Sequence, residues 1–110
     1  MQPFTDEFLS WIEQVDQKLV AKNKYDLHDE KRILARTVKL TEEMGELSEA
    51  ILSYCRDQRE EKLAAFRKED LDEELADVVI TTLVLARSVK SNMNAALVSK
   101  IEKIIKRGGI

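Results

Sequence analysis

The sequence predicts an all-α protein built as a four-helix bundle, and three observations carry that expectation. Only three glycines and one proline interrupt 110 residues, which leaves long stretches in which a helix can propagate. Apolar residues recur at i, i+3, i+4 and i+7 through most of the chain. Nowhere do β-branched and polar residues alternate for a strand's length, so no sheet is expected. The length is close to the commonest domain size, and the whole chain, 1–110, reads as one domain with a modest core.

Helix one follows Pro3, a residue suited to a first helical turn, with Thr5 or Asp6 available at the N-terminus. Phe8, Leu9, Trp11, Ile12, Val15, Leu19 and Val20 then keep helical spacing to about Lys22. The run Asn23-Lys24-Tyr25-Asp26 reads as a loop, and Asp29 is placed to cap the next helix. Helix two runs from about Glu30 to Tyr54 or Arg56, with Ile33, Leu40, Met44, Leu47, Ile51 and Tyr54 as its apolar stripe. Cys55 arrives on that apolar side and is expected to be buried. The charged segment from Asp57 to Glu69 reads as a loop holding a helical turn. Asp70 is expected to start helix three, which continues to about Val89, and Ser91 to Asn94 supply a break and a cap. Helix four is expected from about Ala95 to Arg107, ended by Gly108-Gly109. Short connections between four helices mean a bundle.

Composition narrows the function. A net charge of -3 argues against a general nucleic-acid binder, which presents a basic face, but allows a small phosphorylated ligand held by local cations. No run of 18 apolar residues exists to span a membrane, and the N-terminus lacks the pattern of a signal peptide. A single cysteine forms no internal disulfide, which fits the cytoplasm. No Glu-x-x-His pair accompanies His28, which removes a ferritin-like di-iron site.

Two acidic pairs stand out: Glu43 with Glu46 on helix two, and Glu74 with Asp77 on helix three. Residues three apart lie about 60° apart on one helical face, so each pair aims two carboxylates at one point. If the helices are antiparallel neighbours, four carboxylates converge, and such a concentration of charge requires a cation. Oxygen-only ligation selects Mg²⁺, or Mn²⁺ in its place, over zinc. Beyond Asp77 helix three is apolar on nearly every side, which places this acid at the mouth of a buried seam where an unpaired charge is costly. A helix apolar all round also needs more cover than one small bundle face gives. A homo-oligomer is therefore expected, either a homodimer or a homotetramer built as a dimer of dimers.

The segments KLTEEMGELSEA (Lys39 to Ala50) and DEELADVV (Asp72 to Val79) resemble the two halves of the MazG-type nucleotide pyrophosphohydrolase signature, EExxE followed by ExxD. Here these are Glu42, Glu43 and Glu46, then Glu74 and Asp77, and the resemblance extends over roughly Ile33 to Arg107. It implies an all-α enzyme related to dimeric dUTPases, dCTP pyrophosphatases and phosphoribosyl-ATP pyrophosphohydrolases. Such an enzyme cleaves a nucleoside triphosphate between its α- and β-phosphates. By the same resemblance Glu43, Glu46, Glu74 and Asp77 bind Mg²⁺, while Glu46 or Glu42 orients or deprotonates the attacking water. Lys100, Lys103 and Arg107 would complete the phosphate site. Lys103 and Arg107 fit a Lys-Asn-x-x-Arg/Lys pattern of similar proteins, but Ile104 stands where Asn is expected. Lys39, one turn before Glu43, is placed either for an ion pair or for a phosphate contact. Trp11, like Phe8 and Tyr25, is a candidate to stack on the base, with core packing as the alternative. The expected activity is hydrolysis of (deoxy)nucleoside triphosphates in house-cleaning of the nucleotide pool. Its alternatives are phosphoribosyl-ATP pyrophosphohydrolase and a non-catalytic helical oligomerisation module.

Overall fold

The computed structural model describes residues 1–23 and 30–109. The described residues form five helices and no strand: α1 (Asp6–Asn23), α2 (Glu30–Tyr54), the short α3 (Glu60–Ala65), α4 (Lys68–Ser88) and α5 (Met93–Lys106). The expected all-α class and the four long helices are present, with α3 as the helical turn inside the charged connection. The expectations resting on Tyr25, His28 and Asp29 lie outside the described residues.

Local chemistry explains where each helix begins and ends. Thr5 Oγ1 accepts the Phe8 amide at 3.1 Å, so Thr5 caps α1. Helix α4 starts before the expected Asp70. Arg67 is its N-cap, and the Asp70 carboxylate reaches back to accept the Arg67 amide at 2.9 Å. Asp70 thus acts from inside the first turn, where an acid satisfies an orphan donor and favours the helix dipole. Asn92 caps α5 by accepting the Ala95 amide at 3.0 Å, which starts that helix at Met93 rather than Ala95. After α5, the Gly108 and Gly109 amides donate to the Ile105 and Ile104 carbonyls at 2.9 and 3.0 Å. Gly108 takes φ of 79° to allow this, a left-handed conformation that favours glycine.

The packing centre is an antiparallel pair, α2 against α4, with α1 laid across α4. Ile12, Leu83 and Val84 form the buried apolar cluster, and Phe4, Phe8, Val15, Leu19, Ile80 and Met93 pack around it. Two hydrogen bonds between the Asn94 amide and the Phe4 backbone, at 2.8 and 2.9 Å, clip the N-terminal segment to the start of α5.

The face that α2 turns inward differs from the expected stripe. Arg32, Arg36, Glu43, Ala50 and Ser53 are its buried residues, whereas Met44, Ile51 and Tyr54 are exposed. The inward face is polar because α2 meets charges from two sides. Asp16 of α1 has no exposed surface, and one of its carboxylate oxygens accepts both Arg32 Nη2 and Arg87 Nε. Arg87 also lies 3.8 Å from Glu13. This ion-pair cluster joins α1, α2 and α4. Cys55 falls just beyond the end of α2 and is exposed, not buried as the sequence suggested. Leu75 and Val79 of α4 are also uncovered, and α5 buries no residue. No helix among the described residues is long and apolar enough to cross a membrane.

Replacing Asp16 by Ala strands buried arginine charge. It is expected to destabilise the fold by about 3–5 kcal/mol in urea or thermal unfolding, far more than the same change at the exposed Glu13.

Candidate metal centre

The antiparallel α2–α4 pair sets the register of the site. Arg32 lies opposite Arg87 through Asp16, and Ala50 and Ser53 share a cavity with Asp70. Glu43 and Glu46 in the middle of α2 therefore come level with Glu74 on α4. One carboxylate oxygen from each of these three residues lies within 4.8 Å of the others.

The burial within this group reverses one expectation. Asp77 is exposed, and the acid carried inward is Glu43, of which 7% is accessible. The apolar positions after Asp77, Ile80 and Val84, turn towards α1 and leave Asp77 at the edge. Glu43 instead shares the inward face of α2 with Arg32, Arg36 and Ala50, positions related by steps of four and seven residues.

Two carboxylate oxygens of the cluster, Glu43 Oε2 and Glu74 Oε2, are buried without a hydrogen-bond partner. The other side of Glu43 faces Lys39, whose ammonium lies 3.3 Å from Glu43 and 3.4 Å from Glu42. Hydrogen bonds that Lys39 donates to Glu43 and then Glu42 raise its pKa, so the ion pair expected at this spacing is formed. Burial first, then the charges of Glu46, Asp77 and Glu43, push the Glu74 carboxyl above its ordinary range. Two unpartnered buried oxygens within a group of three neighbouring carboxylates fit a divalent cation, and an all-oxygen donor set suits Mg²⁺.

Two cavities lie on either side of the cluster along the α2–α4 pair. One, of about 300 Å³, has an apolar wall of Val15, Leu19, Ala35, Ile80 and Val84, with Arg36 and Lys39 at its margin. The other, of about 280 Å³, is bounded by Glu46, Ser53, Lys62, Phe66 and Glu74 beneath α3. A larger space at the α1–α4–α5 corner, about 480 Å³ and bordered by Glu13, Arg87 and Lys90, contains none of these carboxylates.

A model of the MazG nucleotide pyrophosphohydrolase domain matches residues 32–108. The chain belongs to the MazG family. No curated protein and no solved structure matched the chain. The match includes both acidic motifs and therefore the whole carboxylate cluster, but not α1, which supplies Asp16 and one wall of the apolar cavity.

The other sequence-derived candidates fall into two groups around this MazG-family site. Glu42 stands at the rim, exposed and facing Lys39, outside the three-carboxylate group. Lys100, Lys103 and Arg107 are on α5, and no α5 residue borders either cavity beside the cluster. None of these three pairs with a carboxylate among the described residues; Arg107 donates to the Lys103 carbonyl at 3.3 Å. Trp11 is half exposed and stacks on Phe8 with ring centroids 6.3 Å apart, away from both cavities. Sequence reasoning passed over Asp16, Arg32, Arg36 and Lys62. The signal for the first was an acid flanked by Ile12, Val15 and Leu19 on the apolar face of helix one; nothing local marked Lys62.

The raised pKa of Glu74 fixes a sign. Its folded form holds a proton more firmly than the unfolded chain does, so its contribution favours the fold at low pH. That contribution is lost as pH rises from about 4.5 through the raised value. Metal-free protein is therefore expected to lose melting temperature over this window. Glu74→Gln should flatten the slope, which thermal melts across a pH series would show.

Proposed function

We propose that this protein hydrolyses (deoxy)nucleoside triphosphates to nucleoside monophosphate and pyrophosphate with Mg²⁺, or Mn²⁺ in its place, as a house-cleaning enzyme of the nucleotide pool. The observation that carries this reading is the pair of buried, unpartnered oxygens on Glu43 and Glu74. They belong to a carboxylate group flanked by an apolar cavity and a polar one. A purely structural helical module has no use for acceptors left unpartnered there, which burial makes costly.

Glu43, Glu46 and Glu74 would hold the metal, with Asp77 closing the group from the exposed side. When bound, the ion neutralises phosphate oxygens and makes a coordinated water more acidic. Glu46 is the exposed member of the three and is best placed to take the proton of an attacking water; Glu42 is occupied by Lys39. The water oxygen forms a bond to the α-phosphorus as the bond from phosphorus to the α–β bridging oxygen breaks. The electron pair leaves on pyrophosphate, and the proton passes through the carboxylate to solvent.

The exposed apolar residues Met44 and Ile51 of α2 and Leu75 and Val79 of α4 support a homo-oligomer. So does a radius of gyration of 16.8 Å, against about 13 Å for a compact domain of 100 residues. The simplest assembly is a homodimer, with a dimer of dimers as its extension. Static light scattering at micromolar concentration should return a multiple of the chain mass, and a stable monomer would refute the assembly.

The enzymatic reading is tested by incubating the protein with each dNTP and NTP and Mg²⁺ while following pyrophosphate and monophosphate. Release of both in equal amounts is expected. Glu43→Gln should lower kcat/KM about a hundredfold or more while leaving the far-ultraviolet circular dichroism helical. No release from any triphosphate with any divalent ion would overturn the reading.

A further inference from the structure

The carboxylate cluster lies between two cavities of similar size, one bordered mainly by apolar side chains and the other by four carboxylates. On α2 the sequence of features is the apolar cavity at residues 35–39, the acids at 43 and 46, and the polar cavity at 46–53. On α4 the same order runs backwards, with Asp70 and Glu74 at the polar end and Ile80, Thr81 and Val84 at the apolar end. A nucleoside triphosphate has a matching asymmetry of charge, an uncharged base and sugar with stackable faces at one end and a chain of anions at the other. Its α-phosphorus must lie at the cluster, so the two ends must extend in opposite directions along the α2–α4 pair.

Charge decides which end goes where. The polar cavity is bordered by Glu46, Glu49, Asp70 and Glu74, and a pyrophosphate group entering it meets strong repulsion unless a cation is present. Among the described residues bordering it, Lys62 of α3 is the one basic side chain. Its ammonium lies 2.5 Å from Glu49 Oε1, where the Lys62 side chain is part-exposed at 36% and that of Glu49 exposed at 61%. An ion pair so exposed is worth little, about 0–1 kcal/mol, and a phosphate oxygen can compete for the ammonium. Ser53, buried on the same side, adds a hydroxyl donor. Lys39 cannot serve this end. It borders the opposite cavity and faces Glu42 and Glu43.

We propose that Lys62 is a substrate-binding residue that holds the β- and γ-phosphates, and then the departing pyrophosphate, in the cavity beneath α3, while the nucleoside occupies the apolar cavity between α1, α2 and α4. The proposal rests on the hydrolytic reading given above and adds to it a direction of binding and a residue outside both acidic motifs. The six-residue helix α3, otherwise a bridge within the connection, thereby becomes the carrier of a phosphate contact.

Two measurements on the whole protein test this. The first is calorimetric titration of pyrophosphate in the presence of Mg²⁺. The second is product inhibition of triphosphate hydrolysis by pyrophosphate and by the nucleoside monophosphate. Lys62→Met is expected to weaken pyrophosphate binding and inhibition ten- to a hundredfold, the usual size of a charge-assisted contact. Inhibition by the monophosphate should stay unchanged, and Lys62→Arg should restore most of the pyrophosphate affinity. If Lys62 only ties α3 to Glu49, then Glu49→Gln and Lys62→Met will act alike and will shift both products equally, which overturns the proposal. Equal pyrophosphate binding by wild type and Lys62→Met also overturns it, while leaving the hydrolytic reading intact if wild type turns over. Absence of turnover in wild type defeats the hydrolytic reading itself and the proposal with it, a separate result from either of those.

Discussion

A carboxylate without exposed surface must find its counter-charge inside the protein, and Asp16 finds two. Arg32 and Arg87 converge on one of its oxygens from helices that run in opposite directions. The charges cannot slide along their helices without stranding one another in a medium that solvates them poorly. The contact therefore fixes the register of α2 against α4 and lays α1 across them. Everything at the site follows from that register. It brings Glu74 level with Glu43 and Glu46, and it gives the apolar cavity its wall of Val15 and Leu19 from α1. Apolar packing through Ile12, Leu83 and Val84 supplies adhesion, but apolar contacts are non-directional, and a shift of one turn would cost them less than it would cost the buried charges.

The elements were legible because they rest on periodicity and punctuation, which are local. The boundaries of α1 and α2, the Asn92 cap and the Gly108-Gly109 stop could be read from neighbouring residues alone. The start of α4 was misplaced because Asp70 can act either as a cap or from within the first turn, and the choice depends on Arg67, which carries no capping signal. The inward face of α2 was misread for a different reason. Apolar spacing locates a stripe but not which partner covers it. The stripe through Met44 and Ile51 is exposed, and the buried face is the charged one, Arg32, Arg36 and Glu43. A buried face built from ion pairs resembles a solvated face in sequence.

The site shows the same division. Spacing of three brought out all four acids, and the two halves of the motif fix their membership of the MazG family. Which acid is buried could not be read, because it depends on the rotation of α2 about its axis, and that rotation is set from α1. Hence Asp77 reads in sequence as an acid at the mouth of a buried seam, whereas the packing leaves it exposed and carries Glu43 inward. The cations on α5 entered as part of a phosphate site through the resemblance alone, which carries no information on how α5 packs within one chain. In the folded chain α5 attaches at its start, through Asn94 and Phe4, and lends nothing to the cavities beside the acids.

The unpartnered buried oxygens of Glu43 and Glu74 have a consequence for directed evolution. A protein is tuned by whatever is selected, and under the proposed metal-binding role heat resistance and ion binding pull in opposite directions at Glu74. A library screened for survival at high temperature without divalent ions would enrich neutral side chains at Glu74, because the ionised carboxyl works against the fold there. Its winners would be sturdy helical proteins that have lost an acid of the cluster. On the proposed metal-dependent reading, a screen that includes the ion during the heat challenge would reward the acids instead, so the additive in the buffer decides whether the site or merely its scaffold is improved.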